Sequence, residues 1–146
     1  AAVLFFSALD MLDGALARAT GRASRFGALY DSTLDRLSEA AVLGGLLWYA
    51  LQSGSDEQAM LAFVATVGSL MVSYVRARSE GLGLALRDGL FTRSERVVLV
   101  GVALILGSTR AALWALAILT VLTAFQRLWI ASRALIAEDA APNGDR

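Results

Sequence analysis

The sequence predicts an all-α integral membrane bundle with five transmembrane helices. Three observations predict it. Hydrophobic residues make up 57% of the 146 and charged residues only 18%, with a mean hydropathy of +0.60, above the usual soluble range. The apolar residues collect in five segments separated by polar breaks. The basic residues then fall almost entirely on one side of the resulting up-and-down path.

The first segment runs from Ala1 to about Ala17 and the second from roughly Ala28 to Leu51, with Asp31, Asp35, Arg36 and Glu39 near its start. The third covers about Ala59 to Val75 and the fifth about Ala111 to Ile130. Runs of about 20 residues cross a bilayer as helices. The fourth, Thr92 to about Gly107, spans only if Glu95 and Arg96 form its first turn, because Val97–Leu106 is too short alone. Residues 1–137 form one membrane domain, and 138–146, with Pro142, Asn143 and Gly144, read as a flexible tail.

Threading five spans puts Arg18, Arg22, Arg25, Arg36, Arg76, Arg78, Arg87, Arg93, Arg96, Arg127, Arg133 and Arg146 on one side. Arg110 stands alone on the other, with Asp56 and Glu57 in a short loop taken as Gln52–Gln58. The positive-inside rule makes the first side cytoplasmic, and a multi-pass protein of the cell membrane is expected. Trp48, Tyr49 and Trp114 fall near the opposite interface, where amphipathic rings settle. An odd number of spans leaves Ala1 outside, so a preceding helix is expected to return the N-terminus to the cytoplasm.

Net charge is zero, which excludes the basic surplus of a nucleic-acid-binding chain. There is no His and no Cys, removing imidazole bases, thiolate nucleophiles and nearly every zinc site. A metal must be held by oxygen, which favours Mg²⁺, Mn²⁺ or Ca²⁺. All thirteen basic residues are Arg; this suits the bidentate grip of phosphate and equally a GC-rich coding bias.

Four carboxylates stand out against this background: Asp10, Asp13, Asp31 and Asp35. Each costs roughly 2.5–3.5 kcal/mol at the centre of a spanning helix, so the set needs a compensating cation. Residues three, four and seven apart share a helix face. Asp10, Asp13, Gly14 and Ala17 line one stripe, and Gly27, Asp31, Asp35 and Glu39 line another. A short turn over Thr20–Phe26 makes the two helices antiparallel neighbours. Two divalent ions between the stripes would neutralise them and clamp a diphosphate, with Arg18 adding bidentate contacts. The plainer alternative pairs these carboxylates with Arg18, Arg22 and Arg36 at the interface. Glu39 reads as a polar packing residue.

The pattern Asp, two residues, Asp-Gly, two residues, Ala-Arg, eight residues, Gly, three residues, Asp, three residues, Asp is matched at every fixed position from Asp10 to Asp35. It resembles the signature of the CDP-alcohol phosphotransferases. The likeness extends through Asp35-Arg36-Leu37-Ser38-Glu39, Ser73-Tyr74-Val75-Arg76-Ala77-Arg78 and Ser94-Glu95-Arg96 to Gln126-Arg127-Leu128. The resemblance implies a six-helix membrane enzyme, usually a homodimer, that displaces CMP from a CDP-linked lipid with an alcohol at a site open to the cytoplasm. It further implies that Asp10, Asp13, Asp31 and Asp35 hold two Mg²⁺ (or Mn²⁺) ions. Asp35 doubles as general base, while Gly14, Ala17, Arg18 and Gly27 surround the CDP moiety of CDP-diacylglycerol or CDP-archaeol.

Acceptor choice is expected to lie elsewhere. Ser73 and Arg76 share one helical face, Arg96 opens the fourth segment and Arg127 lies late in the fifth. Three helices can thus point guanidiniums into one cavity, although ordinary snorkelling accounts for Arg78, Arg87, Arg93 and Arg133. Within the family the resemblance is to the phosphatidylinositol-phosphate and archaetidylinositol-phosphate synthases, which implies that Ser73, Arg76, Arg96 and Arg127 bind the phosphate of inositol 1-phosphate. The glycerol-3-phosphate branch usually carries Pro and Lys where this chain has Ser32 and Arg36. Glycerol 3-phosphate or another alcohol is the alternative acceptor. A non-catalytic membrane scaffold or a cation transporter is the alternative of a different class, although a transporter places its acidic residues nearer midplane on broken helices.

Overall fold

A computed structural model of the chain describes residues 24–85 and 93–140. They form four helices: α1 (Arg25–Gln52), α2 (Asp56–Gly81), α3 (Arg93–Leu106) and α4 (Thr109–Ala140). These correspond to the second to fifth apolar segments. The first segment, with Asp10, Asp13, Gly14, Ala17 and Arg18, lies outside the described residues.

Helix α1 begins before its apolar stretch because Ser24 caps it. The Ser24 backbone is extended, and its hydroxyl accepts the Gly27 N–H at 2.9 Å. That satisfies one of the donors a helix N-terminus leaves open. A Cβ on Gly27 would stand 3.0 Å from the same oxygen, so glycine lets the capping hydroxyl sit close. Helices α1 and α2 are separated only by 53–55, where Gly54 takes φ +68°. A connection this short makes the two helices antiparallel neighbours. Because α2 starts at Asp56, Asp56 and Glu57 belong to its first turn rather than to the loop.

Helices α3 and α4 meet at Gly107, whose φ of +66° supplies the left-handed turn that ends many helices. The Ser108 N–H returns to the Ala103 carbonyl at 3.0 Å. Helix α3 has only 14 residues, about 21 Å at 1.5 Å per residue, against a hydrocarbon core of about 30 Å. Glu95 does lie in its first turn, as the sequence required, yet the helix is too short to span unaided.

Among the described residues, α2 and α4 are long and apolar enough to cross a membrane. Helix α1 has the length, but even its last 18-residue window, 35–52, still holds Asp35, Arg36 and Glu39. Helix α4 continues to Ala140, three residues into the segment expected as a tail.

Helices α2 and α4 form the most extensive contact, and α1 packs on α2. Their shared core gathers Leu43, Ala62, Ala65, Leu113, Leu116 and Ala117, with Ala62 and Ala65 fully buried. Small residues let the backbones approach, the usual solution for helices in lipid. The helices come close at Gly68, where an added Cβ would run into Thr120 Oγ1 and lie 2.9 Å from Thr120 Cβ. Thr120 and Thr123 are buried, and their hydroxyls donate to the Leu116 and Leu119 carbonyls, each at 2.7 Å. Both hydroxyls thus find an acceptor within their own helix.

At the end opposite the basic residues, Glu57 joins α2 to α4. It accepts from Trp114 Nε1 at 2.8 Å and pairs with Arg110 Nη2 at 2.7 Å. Trp48 and Tyr49 are exposed at the same end.

Candidate active site

Asp31, Asp35 and Glu39 recur every four residues along α1 and so share one face. Asp31 is exposed, while Asp35 and Glu39 are half-buried. Their neighbours off the stripe turn back onto the helix. Ser32 Oγ and Thr33 Oγ1 both donate to the Leu29 carbonyl, at 2.8 and 2.9 Å, and Arg36 Nη1 donates to the Ser32 carbonyl. The guanidinium of Arg36 is thus folded along its own helix. Phe26 stacks on Tyr30 with ring centroids 6.0 Å apart, both rings exposed.

Asp31 and Asp35 offer oxygen donors one turn apart, the donor type a hard divalent cation requires. They fit such an ion as far as two ligands can. The other carboxylates expected to complete the set, Asp10 and Asp13, lie outside the described residues. Among the described residues no three carboxylates converge on one point.

Glu39 has a separate engagement. Its Oε1 and Oε2 pair with Arg96 Nε at 2.5 Å and Nη2 at 3.1 Å. The two side chains are 12% and 5% exposed. A carboxylate this deep needs a cation, and Arg96, 57 residues away in sequence, supplies it. The spacing of Asp35 and Glu39 was a usable signal of a polar face, but nothing local to Glu39 named its partner.

Arg127 is 6% exposed on α4. Its Nη1 donates to the Val72 carbonyl of α2 at 3.1 Å, and its buried Nε has no hydrogen-bond partner among the described residues. Arg127 lies within Coulombic reach of Arg76, Arg96 and Glu80, so the three guanidiniums singled out from the sequence share one electrostatic neighbourhood. Arg76 itself is exposed and pairs with Glu80 at 2.9 Å. Ser73, one turn before Arg76, is half-buried. Arg76 and Arg96 are each paired with a carboxylate, whereas Arg127 keeps a buried guanidinium donor, a group that suits the oxygens of an anion.

A model of the CDP-alcohol phosphatidyltransferase family matches residues 1–126. The chain belongs to this family. As a CDP-alcohol phosphatidyltransferase it is a membrane transferase of phospholipid synthesis. It is 38% identical to the phosphatidylinositol phosphate synthase of Mycobacteroides abscessus, over 99% of this chain and 69% of that protein. It is 40% identical to the archaetidylinositol phosphate synthase of Pyrococcus horikoshii, over 87% of this chain and 65% of that protein.

The crystal structure of the Mycobacterium tuberculosis phosphatidylinositol phosphate synthase with CDP-DAG bound superposes with a TM-score of 0.79. Its sequence is 35% identical, and the match covers 98% of this chain and 74% of that one. A second structure of the M. tuberculosis enzyme, in complex with manganese and citrate, gives the same TM-score over 98% of this chain and 70% of that one.

Proposed function

We propose that this CDP-alcohol phosphatidyltransferase transfers the phosphatidyl group of CDP-diacylglycerol to inositol 1-phosphate, releasing CMP. The observation that carries the acceptor assignment is Arg127, buried with an unspent Nε donor beside Arg76 and Arg96. A phosphomonoester dianion supplies the missing acceptors. The relatives named for inositol-phosphate products support the same acceptor, and a relative solved with CDP-DAG supports the donor.

Asp10, Asp13, Asp31 and Asp35 hold two divalent ions, Mg²⁺ or Mn²⁺; a relative solved with manganese supports this. When bound, the ions neutralise the diphosphate and the charge that develops on departing CMP. Gly14, Ala17, Arg18 and Gly27 surround the CDP group. Ser73, Arg76, Arg96 and Arg127 hold the acceptor phosphate and so present the acceptor hydroxyl to the lipid-side phosphorus. Asp35 takes the hydroxyl proton as the new P–O bond forms and the bond to CMP breaks. A positioned base of this kind contributes about 10²–10⁴-fold.

The site faces the cytoplasm in a multi-pass protein of the cell membrane. There the first segment, α1 and α3 complete the crossing with α2 and α4, and two copies form a homodimer. The test is CMP release by the full chain in detergent with CDP-diacylglycerol and Mg²⁺. Inositol 1-phosphate, free inositol, glycerol 3-phosphate and serine are supplied separately. Release driven by inositol 1-phosphate is expected. Preference for glycerol 3-phosphate would change the acceptor within the same chemistry. CDP-archaeol tested beside CDP-diacylglycerol fixes the lipid tail.

A further inference from the structure

Resting on the acceptor assignment above, we propose that Glu39 is a positioning residue for acceptor binding. It fixes the plane of the Arg96 guanidinium beside Arg127.

Glu39 is the last carboxylate of the acidic stripe on α1, one turn beyond Asp35. Spacing alone makes it a third carboxylate on the face of Asp31 and Asp35. Its two oxygens each meet one nitrogen of Arg96. A guanidinium is a rigid plane, so two parallel bonds set its orientation as well as its position. Glu39 grips the Nε–Nη2 edge, and the direction of the Nη1 end follows from that grip.

The contrast with Arg76 is instructive. Arg76 also has a carboxylate partner, Glu80, but those side chains are 53% and 49% exposed. An exposed pair four residues apart on one helix is weakly held and readily exchanged. The Arg96–Glu39 pair is buried and bridges two helices, so its geometry is set before any acceptor arrives. Pre-organisation of this kind lowers the cost of binding. The same pair ties α1, which carries Asp31 and Asp35, to α3, and thereby sets the acceptor-phosphate site relative to the proposed base one turn away.

The experiment uses the full chain purified in detergent, with Glu39→Ala, Glu39→Gln and Arg127→Ala compared with the unsubstituted protein. KM for inositol 1-phosphate, KM for CDP-diacylglycerol, kcat and the melting temperature are measured for each. Glu39→Ala is expected to raise the acceptor KM by on the order of 10-fold, the scale seen when residues that orient binding groups are removed. The donor KM should stay within about twofold. Glu39→Gln, which keeps the size and part of the hydrogen bonding, should recover part of the loss. Should Glu39→Ala fold poorly, Glu39→Gln decides.

An unchanged acceptor KM in both Glu39 variants, while Arg127→Ala raises it, overturns the Glu39 proposal alone. Donor and acceptor KM rising together with a lowered melting temperature marks a mere helix brace and also overturns it. An acceptor KM unmoved in Arg127→Ala, or no turnover of inositol 1-phosphate at all, removes the acceptor assignment and this proposal with it.

Discussion

Arg127 on α4 donates Nη1 to the Val72 carbonyl on α2 at 3.1 Å and keeps a buried Nε without a hydrogen-bond partner among the described residues. That bond anchors the side chain to the neighbouring helix, and Nε is the nitrogen still to be satisfied. A buried guanidinium nitrogen without an acceptor is costly to the fold, and under the proposed function the acceptor phosphate supplies one.

Two opposite consequences follow for Arg127→Met, which keeps the length and removes the charge. The acceptor KM should rise at least roughly 10-fold, since hydrogen bonds to a charged group are worth about 1.5–3 kcal/mol each. In the absence of acceptor, the melting temperature should be equal or higher, because replacing buried charge with matched apolar volume is often stabilising. A lowered melting temperature with an unchanged acceptor KM would mark Arg127 as structural. Enzyme kinetics and a thermal melt in the same detergent decide it.

Asp35→Asn should lower kcat by about 10²–10⁴-fold, the range for losing a positioned base. Binding of CDP-diacylglycerol should persist, measured by equilibrium binding of the lipid in the presence of Mg²⁺. Normal turnover in this variant would remove Asp35 from the base role.

Gly68→Ala tests the packing that brings Arg127 against Val72. The new Cβ would meet Thr120, and overfilling a packed interface costs about 1–3 kcal/mol. A lower melting temperature is expected, measured in detergent, with α2 and α4 pushed apart at Gly68. Removing the Thr120 side chain in Gly68→Ala/Thr120→Ala should restore part of the loss.

Chelation should abolish turnover, and Mg²⁺ or Mn²⁺ should restore it. A chain with no His and no Cys can offer a metal only oxygen, which favours these ions over softer ones. Activity that persists at full rate in excess chelator would contradict the proposed carboxylate–metal site.

The apolar runs located the four described helices, but not their ends. Helix α2 extends from Asp56 to Gly81 and α4 to Ala140, well beyond their apolar centres. A hydrophobic run marks the part of a helix that lipid can cover, whereas backbone hydrogen bonding continues into water. Arg133, over the Trp129 ring at 5.1 Å, belongs to such an extension. The shortness of α3 was legible in Val97–Leu106, and Gly107 ends it.

Asp31 and Asp35 were legible because helical spacing and apolar surroundings are local properties. Arg76, Arg96 and Arg127 were singled out by a family likeness, and Arg127 lies within Coulombic reach of the other two. The partner of Arg96 was not legible, since Glu39 reaches it only through tertiary packing across 57 residues. Nor does spacing reveal that Arg36 bonds to its own helix at Ser32.

The central claim is the acceptor. Its most direct test is a competition in which the full chain, CDP-diacylglycerol and Mg²⁺ meet equal concentrations of inositol 1-phosphate, inositol, glycerol 3-phosphate and serine. The lipid products are identified by mass spectrometry alongside CMP release. Phosphatidylinositol phosphate is expected as the dominant lipid, formed in equal amount with CMP. A dominant phosphatidylglycerol phosphate, or no CMP release with any acceptor, would contradict it.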